Sequence, residues 1–185
     1  MVHVMIDLET MGVQPDAPII AVGAVAFTLR GTPHIIEGGH ANLHINVDLE
    51  SAVQDGAEPE PATIKWWMEQ SGAAREALRA NLLPMSKALD AIDSYFCTLR
   101  AVHTEGIEGV WGNGAGFDNV ILRRTYTRAD RDTPWPFWLD RCYRTAKALA
   151  LASGYTEPER DHGTKHNAFD DALWQAEQLC AMFDR

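Results

Sequence analysis

The apolar positions change period along the chain. Residues 2–8 form a short apolar run rich in β-forming side chains, and it leads into the polar pair Glu9-Thr10. Residues 18–29 hold a second run of this type. Residues 34–47 partly alternate, with Leu43, Ile45 and Val47 on one side. Three such runs joined by short Gly- and Pro-containing turns predict an antiparallel meander. From Pro61 the period lengthens. Thr63 is placed to cap a helix over 64–69, and Ser71 a helix running through Ala80. Pro84 sits where a third helix can start, and it continues to about residue 101 with Leu89, Ile92, Phe96 and Leu99 on one face. Residues 109–112 read as a short strand, 117–128 as a helix, 137–139 as a short strand and 145–152 as a helix. A final helix over 168–183 turns Ala172, Leu173, Ala176 and Leu179 inward. Residues 53–61 and 155–165 are the most loop-like stretches. The second, rich in charge, Pro and Gly, directly precedes the last helix.

Meander strands followed by strand–helix alternation predict an α/β fold. Its expected form is one mixed five-stranded sheet, three antiparallel strands first and parallel strands after, flanked by helices. A length of 185 residues suits one domain over 1–185. The longest apolar stretch, 19–27, is too short to cross a membrane. The first nine residues lack the positive charge of a leader and read as a strand. Cys97, Cys142 and Cys180 are odd in number and far apart, so they form neither a disulfide framework nor a CxxC knuckle. They read as buried thiols in a reducing cytoplasm.

A formal net charge of −10 argues against a broad phosphate-binding surface. It leaves room for a nucleic acid held through a divalent metal, because acidic side chains are what bind such a metal. Two local basic clusters remain, Arg123, Arg124, Arg128 and Arg131, then Arg141, Arg144 and Lys147. Each reads equally as a solvated helix face or as a strand-binding surface.

Three groups of carboxylates carry the candidate chemistry. Asp7 and Glu9 lie two apart at the end of a strand, so their side chains share a face. With 26 acidic residues in 185, chance supplies roughly three or four such pairs, so position matters more than spacing. Asp7 follows Val4-Met5-Ile6, where burial is expected, and a buried acid needs a partner. Asp118 ends Asn113-Gly114-Ala115-Gly116-Phe117-Asp118 and opens a helix. His166, Asp170 and Asp171 open the last helix, with His166 five residues before Asp171 and four before Asp170. Taken singly, each group is explained by ordinary capping and helix-dipole effects. Together they place four carboxylates at strand ends and helix starts that converge in an α/β layout. Such a set suits Mg²⁺ or Mn²⁺, and a neutral His nearby can take a proton near pH 7.

The chain resembles the DEDDh (DnaQ-like) 3′→5′ exonucleases of the ribonuclease H-like fold. The first family motif, Asp-x-Glu-Thr, is matched by Asp7-Leu8-Glu9-Thr10. The second is matched by Asn113 through Phe117-Asp118, and the third, His-x₄-Asp, by His166 and Asp171. The ordered set spans almost the whole chain. Thr63-Ile64-Lys65-Trp66-Trp67 is similar, more narrowly, to the ribonuclease T-like and 3′ exoribonuclease branch found in phages and bacteria. The resemblance implies that Asp7, Glu9, Asp118 and Asp171 bind two divalent metal ions, Mg²⁺ or Mn²⁺, and that His166 is the general base. It places the backbone of Thr10 and Met11 beside a free 3′ hydroxyl and adds Asn113 to the site. The family spacing selects Asp171 over Asp170.

The implied substrate is the 3′ end of single-stranded DNA or RNA, and the implied location a bacterial cytoplasm, or that of a phage's host. A homodimer is compatible with the resemblance. Trp66 is assigned to the core and Trp67 to the nucleotide cleft, because adjacent helical residues point about 100° apart. Phe117 is expected to support the metal site from the core. Asp140 is read either as a support behind the site or as a helix cap. Two other functions fit the same fold: a nucleic-acid-binding module without activity, and a proofreading subunit that works with a polymerase.

Overall fold

A computed structural model describes residues 1–114 and 116–184; Ala115, inside the second motif, lies outside the described residues. In chain order the elements begin with β1 (Val2–Thr10), β2 (Ile19–Thr28), β3 (His34–Ile35), β4 (Asn42–Val47), α1 (Leu49–Gln54), α2 (Pro61–Glu69) and α3 (Gly72–Ala77). They continue with β5 (Leu82–Leu83), α4 (Met85–Val102), β6 (Ile107–Gly112), α5 (Asp118–Arg128), β7 (Asp140–Cys142), α6 (Tyr143–Ala152) and α7 (Ala168–Phe183). The sheet runs β5-β4-β2-β1-β6-β7, with β3 paired to β2. β1 and β2 are antiparallel, as are β2 and β4, whereas β6 joins β1 in parallel and β7 joins β6 in parallel. This is the mixed α/β sheet of the ribonuclease H-like fold.

β1 is buried along its whole length, because helices cover both faces of the sheet, and such strands read as near-continuous apolar runs. The period of two divides its side chains between two cores. Val2, Val4, Ile6 and Leu8 pack with Leu89, Ile92, Phe96 and Leu99 of α4 and with Ile121, Leu122 and Tyr126 of α5. Met5 points the other way and packs with Val25, Phe27 and the Ala172, Ala176 and Leu179 face of α7. Each fully buried large apolar side chain contributes about 1.5–3 kcal/mol. Asp7 and Glu9 follow Met5 on the α7 face. The strand pattern that builds the core therefore also aims both carboxylates at one helix.

The sheet has seven strands rather than five. The run 34–47 splits in two where Gly38, at φ +111, turns the chain. The predicted strand 137–139 is a 3₁₀ turn following Pro136, and pairing starts one residue later at Asp140. α2 starts at Pro61 rather than behind a Thr63 cap; proline pre-sets the first helical φ. The Glu60 side chain does not cap it and instead accepts hydrogen bonds from the Val13 and Gln14 amides. α1 occupies the stretch just before the predicted loop and is capped by Asp48. Ser71 caps α3 as expected, although that helix stops at Ala77. Of the cysteines, only Cys180 is buried; Cys97 is exposed and Cys142 half-buried. Among the described residues no helix is long and apolar enough to cross a membrane.

One contact sets the position of α7. Gly23 of β2 lies opposite Asp7 in the sheet register. A Cβ at Gly23 would fall 2.1 Å from the Ala168 carbonyl oxygen and 2.4 Å from the Phe169 nitrogen. The first turn of α7 thus rests directly on sheet backbone, and any side chain there must push it away. Gly23→Ala is expected to destabilise the fold by about 1–3 kcal/mol through overpacking, read as a lower urea midpoint. Gly39→Ala is the control, since nothing lies within 4 Å of a Cβ at Gly39. Equal midpoints for the two variants would contradict this packing.

Candidate active site

Three elements deliver the acids. β1 presents Asp7 and Glu9 near its end, only 8% and 7% exposed. α5 opens on Asp118, which is 1% exposed. The approach of α5 to the strand depends on Gly112, whose Cβ would lie 2.9 Å from the Asp118 Cβ. α7 brings Asp171 in its first turn, where the helix dipole favours an acid. Asn167 caps that helix by accepting from the Phe169 and Asp170 amides at 3.1 and 3.2 Å. Just before it, His166 adopts φ +62, a left-handed conformation uncommon outside glycine.

Glu9, His166 and Asp171 bring ligand atoms within 4.8 Å of one another. Asp7 and Asp118 stand outside that trio but within its field. Burial holds the Asp7 carboxyl well above the usual carboxylate range, reinforced by the charges of Asp118, Glu9 and Asp171. Burial pushes Glu9 up to about 8, with Asp171 and Asp118 adding to the shift. Asp118 is raised by burial to about 6 and restrained by hydrogen bonds from the Leu8 and Asn113 amides, at 3.1 and 2.7 Å. The Gln175 amide donates to Asp7 at 2.7 Å, while its buried carbonyl oxygen has no partner. Four clustered acids, three of them raised by burial, with oxygen donors and one imidazole, fit hard divalent cations such as Mg²⁺ or Mn²⁺.

The two adjacent acids point in different directions. Asp171 faces Glu9 and His166 and accepts from the His166 amide at 3.0 Å. Asp170 turns into the preceding segment and accepts from the Thr164 amide at 2.7 Å.

Two cavities flank this cluster and share Arg144 and His166. One, about 520 Å³, is lined by Glu9, Thr10, Trp66, Trp67 and Phe117 among others. The other, also about 520 Å³, carries Asn113, Lys147, Arg160, Lys165 and Asp171. Trp67 lines the first cavity but is buried, donating its indole N–H to the Thr10 carbonyl at 2.9 Å. Trp66, expected in the core, is instead 40% exposed and meets the His166 ring edge-on at 4.9 Å. Met11 does not line this cavity; it packs with Ile20, Trp67 and Ala74. Its N–H donates to Pro18 and its carbonyl accepts from Glu60. Asn113 accepts from Arg144 at 3.3 Å. Phe117 is half-buried against the core, as expected.

Asp140 ends the 3₁₀ turn over 137–139 as its C-cap, its N–H donating to the Phe137 carbonyl. It accepts from Trp135, Asn119 and Arg123, and so braces the start of α5 behind Asp118. The first basic cluster is spent on ion pairs: Arg123 with Asp140, Arg124 and Arg128 with Asp16, Arg131 with Asp90 and Asp93. Arg144 and Lys147 of the second cluster reach the site cavity. Sequence reasoning missed Gln175 and Arg160. Gln175 carried a signal, four residues after Asp171 on one helix face; Arg160 carried none.

The mixed sheet and its flanking helices have the fold of known exonucleases. The chain belongs to the family of the Rv2179c-like 3′-5′ exoribonuclease domain, whose pattern matches residues 2–183. Among solved structures it is similar to Escherichia coli exonuclease I in complex with a dA16 oligonucleotide, at a TM-score of 0.64 and 17% identity over 99% of this chain. The dT13 complex of the same enzyme gives 0.67 and 16% over 97%. The cell-death related nuclease 4 (CRN-4) gives 0.64 and 13% over 99%. This chain spans 42% of the exonuclease I chain in the dA16 complex, 40% in the dT13 complex and 64% of the CRN-4 chain. No curated protein matches it by sequence.

The raised carboxyls predict a pH signature in metal-free protein. Glu9 ordinarily titrates near 4.5 and is raised to about 8. The folded state therefore binds the extra proton, and this contribution to stability is lost as pH rises from 4.5 through 8. Relative to Glu9→Gln, the wild-type melting temperature in chelator should fall by several degrees over that range, and Mg²⁺ should restore it at the alkaline end. A constant difference between the two proteins would contradict the shift.

Proposed function

We propose that the chain is a metal-dependent 3′→5′ exonuclease that hydrolyses single-stranded nucleic acid from a free 3′ hydroxyl and releases nucleoside 5′-monophosphates. The observation that carries this reading is the convergence of Asp7, Glu9, Asp118 and Asp171 beside His166, three of them buried with raised pKa values. The family description favours RNA as the first substrate to test, and the oligonucleotide complexes of exonuclease I support a single strand. We read residues 1–185 as one exonuclease domain acting in a bacterial cytoplasm, or that of a phage's host.

In this mechanism Asp7, Glu9, Asp118 and Asp171 hold two divalent ions, Mg²⁺ or Mn²⁺. When bound, these supply the charge that favours ionisation of water and stabilises the leaving 3′ oxygen. Gln175 orients Asp7, and the Leu8 and Asn113 amides orient Asp118. His166 accepts a proton from the attacking water, its ring held by the edges of Trp66 and Trp67 at 4.9 and 6.3 Å. The terminal nucleotide occupies the cavity of Thr10, Trp66, Trp67 and Phe117. There Trp66 offers the more open ring, and base–aromatic stacking tolerates any base. Thr10 lines this cavity and Met11 does not, which makes Thr10 the nearer partner for the 3′ end.

Asp7→Ala or Asp118→Ala should remove nearly all activity while the chain stays folded; near wild-type turnover at saturating Mg²⁺ would refute the ligand assignment. A 5′-labelled strand should give a descending ladder that a 3′-phosphate slows or blocks. Cleavage of a circular single strand would mark an endonuclease instead. For His166, Asn is the informative replacement because it tolerates the left-handed backbone. His166→Asn should lower kcat by about 10²–10⁴-fold and erase the acid limb of the pH–rate profile. Retention of both the rate and that limb would remove His166 from the mechanism.

A further inference from the structure

Residues 153–167, between α6 and α7, have no regular secondary structure, yet one of their side chains is buried against the acids. Arg160 pairs with Asp171 through Nη1 and Oδ1, the two side chains only 13% and 17% exposed. The other Asp171 oxygen accepts from the His166 amide. Both oxygens of this acid are thus engaged, and its charge is balanced by a guanidinium. Arg160 Nε donates to the His162 carbonyl at 2.9 Å, and the guanidinium lies 6.0 Å from the centre of the Trp174 ring. Gly163 folds the segment over it; at φ +72, a Cβ there would meet Arg160 Nη2 at 2.9 Å.

This arrangement has a defect. Nη2 of Arg160 is buried and has no hydrogen-bond partner, and an unmade buried bond of this kind is unfavourable. A guanidinium fork is shaped for a bidentate oxyanion, and here half of the fork is unused. The cavity wall that Arg160 shares with Arg144 and Lys165 is where an oxyanion with more oxygens would meet it.

We propose that Arg160 is an exchanging counter-cation: it holds Asp171 in the metal-free protein, yields it to a divalent ion, and then takes a phosphate of the bound strand with its whole fork. The proposal rests on the carboxylate cluster being the metal site. It makes Arg160 a competitor of the metal and a partner of the substrate, two effects of opposite sign. A purely structural arginine would not produce that combination.

The test uses the full chain. Mn²⁺ binding is measured by calorimetry without substrate, and KM on a single-stranded oligonucleotide at saturating Mn²⁺. Arg160→Gln should bind Mn²⁺ about tenfold more tightly and raise KM several-fold, while Arg160→Lys, which keeps the charge, stays near wild type in Mn²⁺ affinity. Unchanged or weaker Mn²⁺ binding in Arg160→Gln, or an unchanged KM, overturns the proposal. A measurement on wild type covers the case in which the Gln variant fails to fold: Mn²⁺ should speed amide exchange over 157–165, and slower or unchanged exchange overturns the exchange of partners. Glu9→Gln separates the two levels. If it binds Mn²⁺ like wild type, the metal-site reading fails and the proposal falls with it. If it loses Mn²⁺ while Arg160→Gln matches wild type, only the role of Arg160 fails.

Discussion

The first turn of α7 lies on bare backbone at Gly23, and the site depends on that contact. Asp7 and Glu9 are fixed by the strand pattern, and Asp118 by the turn after β6. Asp171 and His166 come from the far end of the sequence and reach the others only because α7 can approach the sheet this closely. Moving the helix outward by the reach of one methyl group would draw both away from Glu9. The same helix supplies Gln175 to Asp7, so one packing contact sets the position of an acid, a base and the group that orients a second acid.

Convergence has an electrostatic cost. The protein pairs several of its surface acids with arginines, as at Asp16, Asp90 and Asp93. At the centre Asp171 has such a partner in Arg160, but Asp7 receives an amide from Gln175, and Asp118 two backbone amides. Hydrogen bonds of this kind lower a carboxyl pKa but do not offset burial or, at Asp7, the added charge of neighbouring acids, which is why the groups remain raised. The arrangement is tolerable when a cation shares the space. This is the sense in which a net charge of −10 is compatible with a nucleic-acid enzyme: negative charge is concentrated where a bound metal would convert it into a phosphate-binding centre.

Much of this was legible in sequence because it rests on local physics. The bounds of α7 follow from an apolar face of helical period in the sequence, and in the structure Asn167 caps its start. β1 and β2 were read from apolar runs that only a doubly covered strand needs. Two-residue strands such as β3 and β5 exist only because a partner lies beside them, and no local pattern encodes a partner. The exposure of Trp66, expected in the core, has a similar origin. Ile64, Trp66 and Met68 of α2 are all exposed, so its apolar positions do not mark the buried face, and tertiary contact with Thr10 sets its rotation. The three carboxylate motifs were readable as an ordered set. Arg160 was not, because nothing in a charged loop sequence tells which of its cations turns inward.

The account stands on the acids being a divalent-metal site. The most direct measurement is anomalous diffraction at the manganese edge from crystals grown with Mn²⁺ and a nucleoside 5′-monophosphate. Two anomalous peaks are predicted within bonding distance of carboxylate oxygens of Asp7, Glu9, Asp118 and Asp171. Manganese bound elsewhere on the chain, with these four acids making no contact to it, would contradict the account.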